Sequence, residues 1–190
     1  MKSLILATLI LASCSGGERR DTAPADTAAR PTTPATEAVG TFRLESPAFA
    51  NGGAIPRQYT CDGANISPAL RWSGTPTAAR ALALICDDPD APSKPWTHWV
   101  IWSLPATREG AIAEKAGTAT GMEHQGINDF GRGEYGGPCP PGGLHHYHFR
   151  LYALDTALGL TGDITASRLT GAMNGHILGI GELVGTYARE

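Results

Sequence analysis

The stretch Leu144-His-His-Tyr-His-Phe-Arg-Leu-Tyr152 decides the fold. Its odd positions are His145, Tyr147, Phe149 and Leu151; its even positions are Leu144, His146, His148, Arg150 and Tyr152. Side chains on a strand alternate between faces with a period of two, so each set shares a face. The odd set is mostly apolar and is expected to face a core, which leaves His146 and His148 on the surface. His145 and Tyr147 then fall at the core-facing mouth of the strand. Just upstream runs Tyr135-Gly-Gly-Pro-Cys-Pro-Pro-Gly-Gly143. Its prolines fix the backbone and its glycines let main chain approach a ligand closely. Polar side chains at a strand mouth beside a stiff loop make a small ligand site.

A second stretch supplies carboxylates and another histidine: Asp87-Asp-Pro-Asp-Ala-Pro92, followed by Trp96-Thr-His-Trp-Val100. On spacing alone, aspartates in such a turn bond their own backbone. A lone histidine on an apolar strand is most simply a satisfied core residue. The pairing of His98 with a sequence-distant His-x-Tyr motif favours a shared site instead.

Together these stretches resemble the phosphatidylethanolamine-binding protein family, in its bacterial Raf-kinase-inhibitor-like branch. The resemblance is carried by Asp88 to Pro92 with His98 downstream, and by Gly137 to Pro141 followed by His145 and Tyr147. Tyr59-Thr-Cys-Asp-Gly-Ala-Asn-Ile-Ser-Pro-Ala-Leu70, Ala172 to Leu178 and Glu182 to Tyr187 add to it, over roughly residues 41–190. It implies a mostly β fold, a two-sheet β-sandwich with one or two short helices. It also implies a metal-free pocket for a phospho-headgroup or another small phosphorylated ligand. The ligand-binding residues carried over are Asp88, His98, Pro141, His145 and Tyr147. Asp90 and Cys139 support them, and Asp87 is a solvated neighbour. Imidazole N–H, phenol O–H and loop amides suit phosphate oxygens, while a carboxylate meets an amine or a protonated phosphate.

Other chemistry stays open. Two histidines with Asp88 form a set that zinc accepts. A hydrolase is a further class, although no Gly-x-Ser-x-Gly elbow is present and neither Ser67 nor Ser73 has a context that activates a nucleophile. The expected function is binding without catalysis and without a cofactor. The alternatives are an envelope protein-interaction or inhibitor module, and a weak hydrolase. The sequence departs from eukaryotic relatives in a shorter loop between Pro141 and His145. Nothing after Tyr187 could form their long C-terminal helix, which lies near the pocket there, so pocket access and ligand size do not carry over. A kinase-inhibitor role belongs to animal relatives and their partners, and an exported bacterial lipoprotein would not meet those kinases.

The chain has 190 residues and a formal net charge of −3, with 24 glycines and 14 prolines. No basic or aromatic-interleaved run points to nucleic acid. Residues 1–13 read as a signal peptide, with Lys2 ahead of an apolar run from Leu4 to Leu11, too short to span a bilayer. Leu11-Ala-Ser-Cys14 resembles a bacterial lipobox, which implies lipidation at Cys14. Ser15 resembles outer-membrane sorting in enteric bacteria. The alternative is an ordinary secretory signal. Residues 14–40 lack a periodic apolar face and read as a disordered tether reaching about 80 Å when stretched. The expected location is therefore the bacterial cell envelope, lipid-anchored, with residues 41–190 as the folded domain.

Within that domain, short strands are expected at Thr41–Leu44, Ile55–Thr60, Leu70–Trp72, Ala81–Ile85, Trp96–Leu104, Leu144–Ala153, His176–Ile180 and Leu183–Tyr187. Ala81–Ile85 is a continuous apolar run, as in a strand covered on both faces. Trp96–Leu104 is apolar on both sides and is placed centrally. Arg108–Ala116 has helical propensity, and a helix through Thr165–Met173 is expected to be capped by Asp163 and ended by Asn174-Gly175. Exported cysteines tend to pair. With Cys14 lipidated, Cys61, Cys86 and Cys139 remain, an odd number, and Cys86 reads as a buried free thiol. The resemblance brings the loops of Cys61 and Cys139 towards the pocket and so implies a disulfide between them. Two unpaired thiols are the alternative.

Overall fold

The computed structural model describes residues 39–116 and 124–189. The signal peptide, Cys14 and nearly all of the tether lie outside the described residues. The elements are β1 (Gly40–Thr41), β2 (Arg43–Glu45), β3 (Leu70–Ser73), β4 (Ala81–Asp88), β5 (Trp96–Pro105), β6 (Glu109–Ile112), β7 (Leu144–Leu154), α1 (Ala166–Met173) and β8 (Ile177–Ala188). One sheet has the order β1-β8-β7-β4-β5 and the other β2-β3-β6. The fold is thus mostly β, two sheets with one short α-helix.

Alternation on β7 works as the sequence indicates. His145, Tyr147, Phe149 and Leu151 are buried, while Leu144 and His146 are exposed. Their face packs against the small sheet, in a core that includes Leu70, Trp72, Leu84, Trp99 and Phe149. A second core lies on the opposite face of the large sheet, where Ala83, Ile85, Val100 and Trp102 meet Leu169 and Met173 of α1. Being covered on both faces explains why β4 reads as an unbroken apolar run.

Several elements differ from expectation. β5 is buried on both faces but lies at the edge of its sheet. Its open side is covered by loop main chain: Trp102 N–H donates to His124 O, Gly126 N–H to Val100 O, and Asp129 N–H to Thr97 O. A covered edge cannot template association, and to the sequence it looks central. Arg108–Ala116 contains β6, not a helix. Gly110 pairs opposite Trp72, whose ring fills the space a Cβ would need, so pairing overrides local propensity. Ile55–Thr60 is a single 3₁₀ turn, Arg57–Tyr59. Pro56 has no N–H for a ladder, although Ile55 N–H still bonds Thr186 O at 2.7 Å. The helix cap is Thr165, which accepts the Arg168 N–H at 3.3 Å; Asp163 offers only its carbonyl, to the Arg168 guanidinium. The two late extended segments form one strand, β8.

Candidate functional site

The site forms where β4 ends and β7 begins. Asp88 is the last residue of β4 and His145 the second of β7. The two side chains meet at 2.7 Å between Asp88 Oδ2 and His145 Nδ1, at 4% and 6% exposure. The other oxygen, Oδ1, accepts the Asp90 N–H at 2.9 Å, so the carboxylate also shapes its own turn. A carboxylate accepting at both oxygens fixes the His145 proton on Nδ1 and leaves Nε2 as the free ring nitrogen.

His98 comes in from β5. Its Nδ1–H donates to Gly136 O at 2.6 Å, and its ring meets Tyr147 edge-on at 5.1 Å and Phe130 at 5.4 Å. Burial holds its proton affinity below the ordinary histidine value, opposed by the Gly136 carbonyl and the Asp88 charge.

These residues open on a cavity of about 210 Å³ lined by Asp88, Ala91, Pro92, Trp96, His98, Phe130, Cys139, Pro140, Pro141 and His145. Four of the five anticipated ligand residues therefore share one cavity wall. Tyr147 stands behind it, fully buried and packed on His98, and its hydroxyl has no partner among the described residues. Burial drives its pKa well above the ordinary phenol value.

Asp90 clamps its loop to β7, accepting from both the N–H and Nδ1 of His146, at 2.9 and 2.7 Å. The His146 bond lowers the Asp90 pKa. Asp87 is not simply solvated. It bonds the Arg150 guanidinium at 2.8 Å on the outer face of the sheet, and burial raises its pKa against the pull of that cation. Ser67 is buried and accepts the Ala116 N–H, a structural role. Cys61 and Cys139 form a disulfide with Cα atoms 5.4 Å apart, and Cys86 is a buried free thiol. Among the described residues no group of three or more His, Cys, Asp or Glu is arranged to hold a metal.

Sequence reasoning missed Trp96 and Phe130, whose rings meet edge-on at 5.5 Å in the apolar wall. It also missed Asn128, 4% exposed, which holds that wall together. Its amide donates to His98 O and Glu134 O and accepts from the N–H groups of Phe130 and Arg132. Asp129 accepts from Lys94 and from Thr97 N–H, both at 2.7 Å, and pins the same loop to β5. The only available signal was an Asn-Asp pair in a glycine-rich loop, which is also ordinary turn chemistry.

The family model for phosphatidylethanolamine-binding protein matches residues 45–188. A UPF0098 protein of Methanothermobacter thermautotrophicus is 52% identical over 150 residues, covering 78% of this chain and 99% of its own. Another, from Pyrococcus abyssi, is 47% identical over 152 residues, covering 76% and 84%. Among solved structures, a phosphatidylethanolamine-binding protein homolog from Chlamydia trachomatis aligns with a TM-score of 0.73 at 38% identity, over 80% of this chain and 99% of that one. YbcL of E. coli, described as a new member of the mammalian PEBP family, aligns with a TM-score of 0.73 at 30% identity, over 80% and 100%. On this evidence the chain belongs to the phosphatidylethanolamine-binding protein family.

Proposed function

We propose that this chain is a binding protein whose cavity takes a small phosphorylated ligand, such as a phospholipid headgroup, without turning it over. The observation that carries the reading is the buried Asp88–His145 pair opening on the same cavity as His98. Imidazoles can hold phosphate oxygens, and a carboxylate can take an ammonium group or a protonated oxygen. At about 210 Å³ the cavity is smaller than the ~300 Å³ at which pockets for drug-sized ligands begin, which favours a headgroup over a whole lipid. Among the described residues its lining has no Ser, Thr or free Cys beside the Asp–His pair, and none of them offers that pair a nucleophile to activate.

An anion beside the His98 imidazole favours its protonation, while Asp88 repels the anion. Affinity for phosphoethanolamine should therefore rise between about pH 7.5 and about pH 5.5. Isothermal titration across that range tests this, and a flat profile counts against it. The anchored location is proposed from the sequence: lipidation at Cys14, a tether, and an envelope site, with the outer membrane favoured. Metabolic labelling with a fatty acid, lost in Cys14→Ala, tests the anchor; an unlabelled, released wild-type protein contradicts it.

A further inference from the structure

The cavity wall at residues 138–141 has few polar ties, and what else holds it is the burial of Pro138 and Pro140. Pro138, Pro140 and Pro141 have no N–H to donate. Among the described residues, the main-chain hydrogen bond to this run is from Cys61 N–H to Pro138 O at 3.0 Å. The other tie is covalent, between Cys139 in the wall and Cys61 in the segment behind it, 78 residues away in sequence. That segment also braces the approach to the wall: Asn65 Oδ1 accepts the Gly137 N–H at 2.7 Å, and Tyr59 O accepts from the Tyr135 hydroxyl at 3.0 Å. Cys139 is exposed and Cys61 half-buried, so the bond lies at the surface side of the wall rather than in the core. Cys139 also lines the cavity itself.

We propose that the Cys61–Cys139 disulfide is a redox latch on the cavity wall, opened by a dithiol reductant, and that opening it weakens ligand binding. The second half rests on the binding function proposed above. In the reaction a thiolate of the dithiol attacks the sulfur of Cys139, the more exposed of the two residues, and Cys61 leaves as a thiolate. The second thiol of the reductant then attacks the mixed disulfide. The reductant ends as a disulfide, and two electrons and two protons reside on Cys61 and Cys139 as thiols. With the covalent tie gone, one main-chain hydrogen bond and the packing of Pro138 and Pro140 are left to place three prolines. The wall then samples displaced positions, and affinity falls by the fraction of time it is out of place.

The test uses the full chain, oxidised and after dithiothreitol, with Cys61→Ser/Cys139→Ser as the permanently open form. Phosphoethanolamine affinity is read by titration and local opening by amide hydrogen exchange. Reduction should weaken binding by about tenfold or more, as for a wall in place about one-tenth of the time. Exchange should quicken at Cys61 and Gly137 while β4 and β7 stay protected. The double variant should behave as the reduced chain does. Equal affinity in both redox states overturns the latch. If the oxidised chain binds no phosphoethanolamine, the binding function fails. The latch is then decided by exchange alone: local quickening supports it, and unchanged or uniformly raised exchange overturns it.

Discussion

Asp88 and His145 are 57 residues apart in sequence and 2.7 Å apart in space, and both are almost wholly buried. The pair closes the β4 end of the site onto the start of β7. Truncating one partner leaves a buried polar group without its mate, which is costly. Asp88→Ala should destabilise the chain by about 3 kcal/mol. Asp88→Asn keeps the shape but not the charge, and should cost about 1–3 kcal/mol. Urea denaturation measures both. An Ala variant as stable as wild type would show that the pair does not organise this end of the fold.

The neighbouring Asp90–His146 contact is exposed on both sides, so it should contribute little to stability. Asp90→Ala should change unfolding free energy by less than about 1 kcal/mol. It should still weaken ligand binding a few-fold, because the loop bearing Ala91 and Pro92 loses its bonds to β7. A large stability loss with unchanged affinity would reverse that assignment.

Gly137 approaches the segment behind the wall so closely that a Cβ would strike main-chain atoms of Tyr59 and Thr60. Backbone cannot rotate aside as a side chain can. Gly137→Ala should cost about 1–3 kcal/mol, read as a melting temperature lower by roughly 2–10 °C. Gly142→Ala, where the Cβ meets open space, is the control and should melt within about a degree of wild type.

His98 has a folded pKa lowered by burial. The unfolded chain therefore binds more protons at this residue from about pH 6.5 down to the folded value. Its contribution to stability is full above that window and is lost as pH falls through it. Stability curves should fall below about pH 6.5 more steeply for wild type than for His98→Gln. Identical slopes would place the acid sensitivity elsewhere.

Much of this was legible in the sequence because it rests on short-range regularities. The alternation of His145, Tyr147, Phe149 and Leu151 gave β7 its inner face, and the run Ala81–Ile85 announced a strand covered on both sides. The misread elements depend on distant contacts. The Gly110–Trp72 fit makes β6, and main chain from residues 124–129 covers the β5 edge, neither of which leaves a local pattern. The cavity divides in the same way. Asp88, His98, Pro141 and His145 stand in recognisable motifs, whereas Phe130 reaches the wall through the bonds of Asn128. Tyr147 sits on the face its period assigns it, yet behind the cavity, because period fixes a face and not a depth.

The most direct test of the binding function is thermal unfolding of the chain with and without phosphoethanolamine, beside an Asp88→Ala/His145→Ala double variant. At about 100 times its dissociation constant, a ligand stabilises the folded state by about 2.7 kcal/mol. For a chain of this size that is a rise of roughly 5–10 °C. The binding account predicts that rise in wild type and its absence in the double variant. No rise in wild type, or an equal rise in a folded double variant, would contradict it.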